Sequence, residues 1–192
     1  MAVEIIDFEV RTSAIDGLLF VAPKQITDDR GTIREIFRRS AFASAGVQLA
    51  EFQQINVTES AEGSVRGMHA EQMTKLLTVA SGEAFGAYVD MRHDSTSYGQ
   101  VATVVLRPGV QVLVPAGVAN GFQALTDACQ YVYCFDEEWR PNMPGLSCTP
   151  LDPELGIDWP IAIDPHNPSQ ISAKDRDAPL LVDVVHDTED RS

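Results

Sequence analysis

Residues 76–89 read Leu-Leu-Thr-Val-Ala-Ser-Gly-Glu-Ala-Phe-Gly-Ala-Tyr-Val, two apolar runs of strand length on either side of the polar triplet Ser81-Gly82-Glu83. Apolar, β-branched and aromatic residues favour strands, whereas glycine with polar neighbours favours a reversal of the chain. This stretch therefore predicts two consecutive strands joined by a tight turn.

The same arrangement recurs along the chain between about residues 17 and 133. A third apolar run covers residues 101–106, and two further turn triplets, Arg107-Pro108-Gly109 and Pro115-Ala116-Gly117, interrupt the apolar runs that follow. Short strands at regular spacing are typical of sandwiches and barrels. We predict an all-β jelly-roll β-barrel with one short helix near residues 40–46, where alanines follow Ser40 as a candidate cap.

The composition changes after Trp139. Eight of the eleven prolines lie from Pro141 onward, which predicts an irregular or partly helical C-terminal tail that wraps over the barrel. We expect a single domain over residues 1–183 and a disordered acidic tail over residues 184–192.

Charge and composition exclude several classes of function. The chain has 14 Lys and Arg against 28 Asp and Glu, a net charge of -14 that argues against a nucleic-acid partner. No run approaches the ~20 apolar residues of a membrane span, and the N-terminus has no signal-like pattern. Three cysteines, Cys129, Cys134 and Cys148, have no metal-ligand spacing and fit a reducing compartment. We expect a cytoplasmic protein without a membrane partner.

One histidine stands out, His69 in Arg66-Gly67-Met68-His69. An isolated histidine is usually an ordinary core or surface residue. An imidazole becomes an effective base near neutral pH when a carboxylate fixes its tautomer, and Asp175 is our candidate for that carboxylate, although by itself it would be read as solvated surface.

Two further residues supply the other parts of a proton-transfer site. The spacing of Tyr131-Val132-Tyr133 places both tyrosine rings on the same face of a strand, where such rings most often pack in the core. A phenol that lines a pocket could instead return a proton to the side of the substrate opposite the histidine. Lys75 would by default be a surface lysine. Aimed inward, its ammonium would stabilise an enolate oxygen.

A metal site is the alternative for a histidine in a jelly roll. Cupin metal centres use two histidines one residue apart, then a glutamate, then a histidine after a Pro-x-Gly turn. Here His69 is followed by Ala70 and Glu71, and Asn120 stands where the last histidine would be. With one imidazole left, we expect no metal.

The chain resembles the dTDP-4-dehydrorhamnose 3,5-epimerase family from about residue 17 to residue 181, because nine motifs occur in order. They are Asp29-Arg30-Gly31 with Glu35, Gln54-Ile55-Asn56, Arg66-Gly67-Met68-His69, Lys75-Leu76, Val89-Asp90-Met91-Arg92, Ser95-Thr96-Ser97-Tyr98-Gly99, the segment 115–122, the segment 155–160, and Ser172-Ala173-Lys174-Asp175.

This resemblance implies a metal-free, cofactor-independent cupin homodimer that acts on a dTDP-linked 4-keto-6-deoxy sugar, with the N-terminal strand crossing to the partner sheet. It implies that His69 accepts a proton, with Asp175 as its partner, that Tyr133 donates one, and that Lys75 lies beside the carbonyl oxygen. The implied substrate-binding residues are Arg30, Glu35, Gln54, Asn56, Arg66, Asn120, Trp139 and Lys174.

The chemistry of such a sugar needs no redox cofactor. The ketone at carbon 4 acidifies the hydrogens on carbons 3 and 5, so a base can form an enolate, and reprotonation from the other face inverts the centre. The chain also has no Gly-x-Gly-x-x-Gly fingerprint.

Two other functions stay open on the sequence. One is a 4-keto sugar isomerase on a related scaffold, and the other is a non-catalytic sugar-nucleotide-binding cupin or the subunit of a partner enzyme. Asn120, where the family usually has histidine, and the short segment 70–74 favour the binder. The combination of His69 and Tyr133 favours the epimerase, because inversion requires an opposed base and acid.

Overall fold

A computed structural model describes residues 3–184, and short antiparallel strands make up most of its regular structure. The strands are β1 (Glu4–Ile6), β2 (Glu9–Thr12), β3 (Leu19–Ala22), β4 (Gln25–Asp28), β5 (Gly31–Arg34), β6 (Gln54–Ser60), β7 (Val65–Glu71), β8 (Lys75–Ser81), β9 (Ala84–Asp90), β10 (Val101–Leu106), β11 (Gln111–Val114), β12 (Val118–Ala124), β13 (Cys129–Phe135) and β14 (Gly145–Ser147). The helices are α1 (Arg39–Ser44) and α2 (Ala173–Arg176), with 3₁₀ turns at Pro153–Leu155 and Leu181–Asp183. The all-β prediction is confirmed.

Two large sheets form the jelly roll. One has the strand order β2-β3-β11-β8-β13-β6, and the other has the order β10-β9-β12-β7-β14. Their inner faces share one apolar core, in which Leu77 of β8 packs in the same cluster as Tyr88 of β9 and Phe122 of β12. A separate three-stranded sheet, in the order β1-β4-β5, lies outside this pair.

The stretch at residues 76–89 forms the predicted hairpin. Strands β8 and β9 follow its two apolar runs, and Gly82 lies in the turn with a φ of 81°. A Cβ at this position would collide with the Thr126 side chain, so the turn requires glycine both for its backbone angle and for its space.

The helix α1 lies where the sequence predicts it, but its cap differs. Arg38 occupies the N-cap position and makes no capping hydrogen bond with its side chain, while Ser40 lies within the helix. The prediction of Ser40 as the cap is therefore wrong. The helix is held instead by burial of Phe42, whose ring lies 4.9 Å from that of Phe8.

The tail is irregular and partly helical, as predicted, and it packs on the five-stranded sheet. Strand β14, which the sequence did not predict, pairs with β7, and Ile171 forms a parallel bridge with Val65. Cys148 and Leu155 join a second core cluster beneath the tail. Of the predicted acidic tail, Val184 packs against this cluster, and residues 185–192 lie outside the described residues.

None of the helices found within residues 3–184 is long and apolar enough to cross a membrane.

Candidate active site

A cavity of about 540 Å³ is lined by both large sheets and by the tail. Strands β6, β8 and β13 contribute from the six-stranded sheet, β7 and β12 contribute from the five-stranded sheet, and residues 168–175 contribute from the tail. Nine of the predicted site residues line it, namely His69, Tyr133, Asp175, Lys75, Asn56, Arg66, Asn120, Trp139 and Lys174.

A hydrogen-bonded pair of His69 and Asp175 lies in this cavity. Nε2 of His69 is 2.7 Å from Oδ1 of Asp175, and the side chains are 33% and 8% exposed. The second carboxylate oxygen of Asp175 accepts a 3.4 Å hydrogen bond from the Gly67 amide. Because Nε2 is engaged, Nδ1 is the ring nitrogen that remains for a substrate proton.

The carboxylate of Asp175 stays ionised in this setting. Burial alone would raise its pKa, but the hydrogen bond and charge of His69 and the Gly67 amide outweigh burial, so the pKa lies below its ordinary value. Ser172 caps α2 by accepting the amide hydrogen of Asp175 at 3.1 Å, which fixes the backbone from which the carboxylate projects. An anionic partner stabilises an imidazolium and holds one tautomer.

Strand β7 carries His69 past an irregularity that interrupts the normal alternation of side chains. The pairing with β12 shifts register between Asn120 and Phe122, and Gly67 has a φ of 119°. A Cβ on Gly67 would collide with backbone atoms of Gly121, so β7 and β12 can come this close only because both residues are glycine. Both the exposed Arg66 and the partly buried His69 consequently face the cavity.

Lys75 is buried at the floor of the site, with 2% of its surface exposed. Its ammonium contacts the Glu71 carboxylate, donates to Oδ1 of Asn120 at 2.5 Å and reaches the backbone oxygen of His69 at 3.4 Å. Burial lowers the pKa of Lys75, while Glu71 opposes that shift.

Glu71 is a site residue that the sequence analysis missed. Burial alone would raise its pKa, but the charge and hydrogen bond of Lys75 outweigh burial and lower it. The signal was available, because Glu71 lies two residues after His69 on one strand, and such residues share a face.

Tyr133 approaches from the opposite sheet. It lies on β13, whereas His69 lies on β7, so the two side chains enter the cavity from facing sheets. Burial raises the pKa of Tyr133, with Arg66 and Thr58 acting in the other direction. The phenol therefore keeps its proton at neutral pH and can act as a donor. Its ring lies 4.9 Å from that of Tyr131, on the shared face that the alternation predicts.

Polar and aromatic groups surround the outer part of the cavity. Arg66 is exposed and makes one long hydrogen bond, from Nε to Ser60 at 3.4 Å. Trp139 is 45% exposed, and its backbone N–H donates to Gln54 at 2.8 Å. Gln54 does not line the cavity itself, but its amide also donates to Asn56 at 3.0 Å.

Arg30 and Glu35 lie outside the cavity of their own chain. Arg30 follows β4 and pairs with Asp28 at 2.6 Å, and Glu35 follows β5 and pairs with Arg38. These two predicted substrate-binding residues are therefore not brought together with the rest within one chain.

Within residues 3–184, no three His, Cys, Asp or Glu side chains gather in an arrangement that could hold a metal ion.

The chain is similar to proteins of known kind over nearly its whole length. A family described as dTDP-4-dehydrorhamnose 3,5-epimerase matches residues 12–183. The dTDP-4-dehydrorhamnose 3,5-epimerase of Methanothermobacter thermautotrophicus is 34% identical over 94% of this chain and 98% of its own.

Two solved structures share the fold closely. The 4-keto-6-deoxy sugar epimerase NovW, from the novobiocin gene cluster of Streptomyces spheroides, has a TM-score of 0.84 at 30% identity and covers 95% of this chain and 92% of its own. The dTDP-6-deoxy-D-glucose-3,5-epimerase RmlC of Legionella pneumophila, in complex with dTDP-4-keto-L-rhamnose, has a TM-score of 0.82 at 31% identity and covers 92% and 94%.

Proposed function

Because the chain belongs to the dTDP-4-dehydrorhamnose 3,5-epimerase family, we propose that it inverts carbon 5, carbon 3 or both in a dTDP-linked 4-keto-6-deoxy sugar. It is an isomerase-class enzyme, and its reaction belongs to the biosynthesis of dTDP-L-rhamnose or another deoxysugar. The solved relative with bound dTDP-4-keto-L-rhamnose supports this class of substrate.

The observation that carries the proposal is the hydrogen bond of His69 and Asp175 inside a cavity that Tyr133 enters from the facing sheet. Inversion at a carbon next to a ketone needs a base on one side of the sugar and an acid on the other. A pure binding module or a 4-keto sugar isomerase has no need for this opposed pair, and neither alternative is favoured.

We assign deprotonation to Nδ1 of His69. The C–H bond next to the ketone breaks, its proton passes to Nδ1, and its electron pair forms the enolate with negative charge on the C4 oxygen. The imidazolium that results is stabilised by the ionised Asp175 at 2.7 Å. That C–H bond is acidic because the neighbouring ketone accepts its electron pair and because hydrogen-bond donors around the C4 oxygen stabilise the enolate.

Tyr133 is the proposed donor to the opposite face. Its hydroxyl proton passes to the carbon, the C4 ketone re-forms, and the enzyme is left with an imidazolium and a phenolate. Exchange of protons with water restores both residues, so solvent hydrogen enters the product at each inverted carbon. Burial, which raises the pKa of Tyr133, makes the phenolate short-lived and the donor ready for another turnover.

The outer cavity suits a nucleoside diphosphate. Its lining includes the exposed cations Arg66 and Lys174, whereas Lys75 is buried and paired with Glu71. With Asp175 as the other carboxylate, the lining is locally positive in a chain of net charge -14. The guanidinium of Arg66 can bind phosphate oxygens in a bidentate manner. The half-exposed ring of Trp139 is available to stack on thymine, and Asn56 and Lys174 lie nearby in the same lining.

A homodimer would complete the nucleotide end of the site. The three-stranded sheet that carries the Arg30 turn exposes the apolar side chains of Ile5, Ile6, Ile26 and Ile33, and Val3 is exposed just before its first strand. Exposed apolar patches of this kind mark interaction surfaces. We assign this surface to a second copy of the chain, with Arg30 and Glu35 reaching the partner's cavity.

The three unpaired, buried cysteines fit a cytoplasmic location.

Solvent deuterium incorporation tests the proposed function. Wild-type protein is incubated in D₂O with dTDP-4-keto-6-deoxyglucose, and exchange at each carbon is followed by NMR. Exchange with inversion at carbons 3 and 5 identifies a 3,5-epimerase, and exchange with inversion at one carbon identifies a single-centre enzyme. His69→Asn should abolish either. His166→Asn is the matched control, since His166 is exposed and outside the cavity. No exchange with the wild type, despite bound dTDP, would contradict the proposal.

A further inference from the structure

Lys75 needs its positive charge to stabilise an enolate, and burial works against that charge. The side chain lines the cavity, yet 2% of its surface is exposed. Removing an ammonium from water favours the neutral amine, and this effect lowers the pKa of Lys75. A neutral amine is a weaker hydrogen-bond donor than an ammonium to an oxygen that gains charge. The site therefore needs an anion that keeps the proton on Lys75.

Glu71 is the anion that the fold supplies. Its carboxylate forms an ion pair with the Lys75 ammonium, and the two side chains are 18% and 3% exposed. Within residues 3–184, no other carboxylate pairs with Lys75. Burial alone would raise the pKa of Glu71, but the charge and hydrogen bond of Lys75 outweigh burial and lower it. Each partner thus holds the other in its charged form.

The contacts of the ammonium leave one N–H for a substrate. A lysine ammonium has three N–H donors. Glu71 accepts one and Oδ1 of Asn120 accepts another at 2.5 Å, whereas the third makes a long, 3.4 Å contact with the backbone oxygen of His69. A contact of that length is weak. The third N–H can therefore turn to a ketone oxygen while the other two keep the nitrogen in place.

Glu71 also sets where the ammonium lies relative to the base. Glu71 and His69 are two residues apart on β7, and both side chains line the cavity. The charge of His69 helps to lower the pKa of Glu71, which shows that the two groups interact across this short distance. One strand consequently fixes both the base and the anchor of Lys75, and it holds the ammonium beside the carbon atom that His69 attacks.

We propose that Glu71 is a positioning residue, which holds the Lys75 ammonium in place and in its charged form so that its third N–H binds the C4 oxygen. The inference rests on the proposed epimerase function and adds a residue to it. As the C–H bond breaks, its proton passes to His69 and its electron pair moves to the C4 oxygen. Lys75 keeps its proton, and its hydrogen bond to that oxygen strengthens.

The proposal makes Lys75 the group that limits exchange at high pH. The other charged or titratable groups of the cavity, which lie on β7, β13 and α2, are Arg66, His69, Tyr133, Lys174 and Asp175. Strand β11, which also pairs with β8, carries none. His69 must be neutral to accept a proton, so it sets the acid limb. Burial raises the pKa of Tyr133, so the phenol keeps its proton. Lys174 lies at the nucleotide end and affects binding, which does not limit the rate at saturating substrate.

Glu71→Gln tests the proposal through the pH dependence of exchange at saturating dTDP-4-keto-6-deoxyglucose in D₂O. Glutamine keeps the size and an acceptor oxygen for Lys75 but removes the negative charge that opposes burial. The pKa of Lys75 should fall, so the basic limb should move to lower pH by about 1–3 pH units, the usual effect of one opposite charge in contact. The dissociation constant for dTDP should be unchanged, because the nucleotide end of the cavity is untouched.

Glu62→Gln is the matched control, since Glu62 is exposed, precedes β7 and does not line the cavity. It removes the same charge from the chain and should leave both limbs as in wild type. If the basic limb of Glu71→Gln coincides with that of wild type, or if exchange becomes faster at every pH, the inference fails while the proposed function stands. Absence of exchange in the wild type would overturn the proposed function and this inference together.

A titration of the ligand-free protein gives a second readout that needs no turnover. The chain has three lysines, so ¹³C-lysine labelling gives three Cε signals, and Lys75→Met identifies the signal of Lys75. In wild type this signal should be that of an ammonium at neutral pH, and in Glu71→Gln it should titrate at lower pH. A neutral amine in the wild type at pH 7 would overturn the inference even if Glu71→Gln does not fold.

Discussion

Oδ1 of Asp175 lies 2.7 Å from Nε2 of His69, although 106 residues separate the two along the chain. His69 belongs to β7 in the barrel, and Asp175 belongs to the short helix α2 in the tail. The base is thus assembled by packing the tail against the five-stranded sheet.

Asp175→Asn should slow deuterium exchange by about 10⁴-fold, which is the loss that the same change causes in the Ser-His-Asp triad. An amide holds the histidine in the wrong tautomer and offers no negative charge to stabilise the imidazolium. The affinity for dTDP, measured by calorimetry, should be retained. Asp177→Asn is the matched control, because Asp177 is exposed and pairs with Arg176. Exchange in Asp175→Asn within a few-fold of wild type would rule out the carboxylate's role.

Tyr133→Phe should separate exchange from inversion. His69 can still remove a proton and return deuterium to the same face, whereas the opposite face has lost its donor. Inversion should fall by about 10²–10⁴-fold, the contribution of a positioned acid, while exchange with retention continues. Chiral analysis of the deuterated sugar measures both.

Tyr131→Phe is the control for that experiment, because Tyr131 lies on the same strand and the same face as Tyr133 but does not line the cavity. Equal loss of inversion in the two variants would show that Tyr133 acts only through packing.

Asp90 should make the free energy of unfolding depend on pH. Its buried carboxylate accepts hydrogen bonds from Arg92, Ser95 and Ser97. Burial alone would raise its pKa, but these bonds lower it well below the ordinary value of 3.8. A lowered pKa in the folded state adds stability above the ordinary pKa, and this stability is lost as the pH falls below about 4.

Urea denaturation of Asp90→Asn at several pH values checks this. Removing the charge should cost about 1–3 kcal/mol near neutral pH, because Arg92, Ser95 and Ser97 lose a charged acceptor, and should flatten the acid limb. The exposed Asp94→Asn is the control and should behave as wild type. Parallel pH curves for Asp90→Asn and wild type would contradict the prediction.

Arg30 should act in the partner's site if the proposed dimer forms. Arg30→Ala and His69→Asn should each be nearly inactive alone. When equal amounts of the two variants are refolded together, about half of the dimers are mixed, and each mixed dimer has one intact site of its two. The activity of the mixture should therefore return to about a quarter of the wild-type activity. If dimers confirmed by ultracentrifugation recover no activity, Arg30 acts either outside the active site or in the active site of its own chain.

Local patterns predicted much of the fold. Residues 76–89 and the turn at Pro115-Ala116-Gly117 are set by neighbours in sequence, and both were located correctly. Strand β14 was missed, because its three residues are held by backbone pairing with β7 and carry no side-chain pattern. Ser40 was misread as a cap, because the burial of Phe42 places the helix instead.

The candidate site was predictable in its residues but not in its contacts. Residue types and the family resemblance pointed to His69, Tyr133 and Lys75, all of which line one cavity. No local rule could pair Asp175 with His69 across the tail, and none could show that Glu71 and Asn120 accept hydrogen bonds from Lys75. Those facts depend on the register between β7 and β12.

The place of Asp175 in the chain also orders events during synthesis. Every strand of the two large sheets ends by Ser147, so all of these strands leave the ribosome before α2 does. A nascent chain at that stage already has His69 and Tyr133 but no carboxylate for the base. Fast proton abstraction by His69 would therefore require that the tail has been synthesised and has docked against β7.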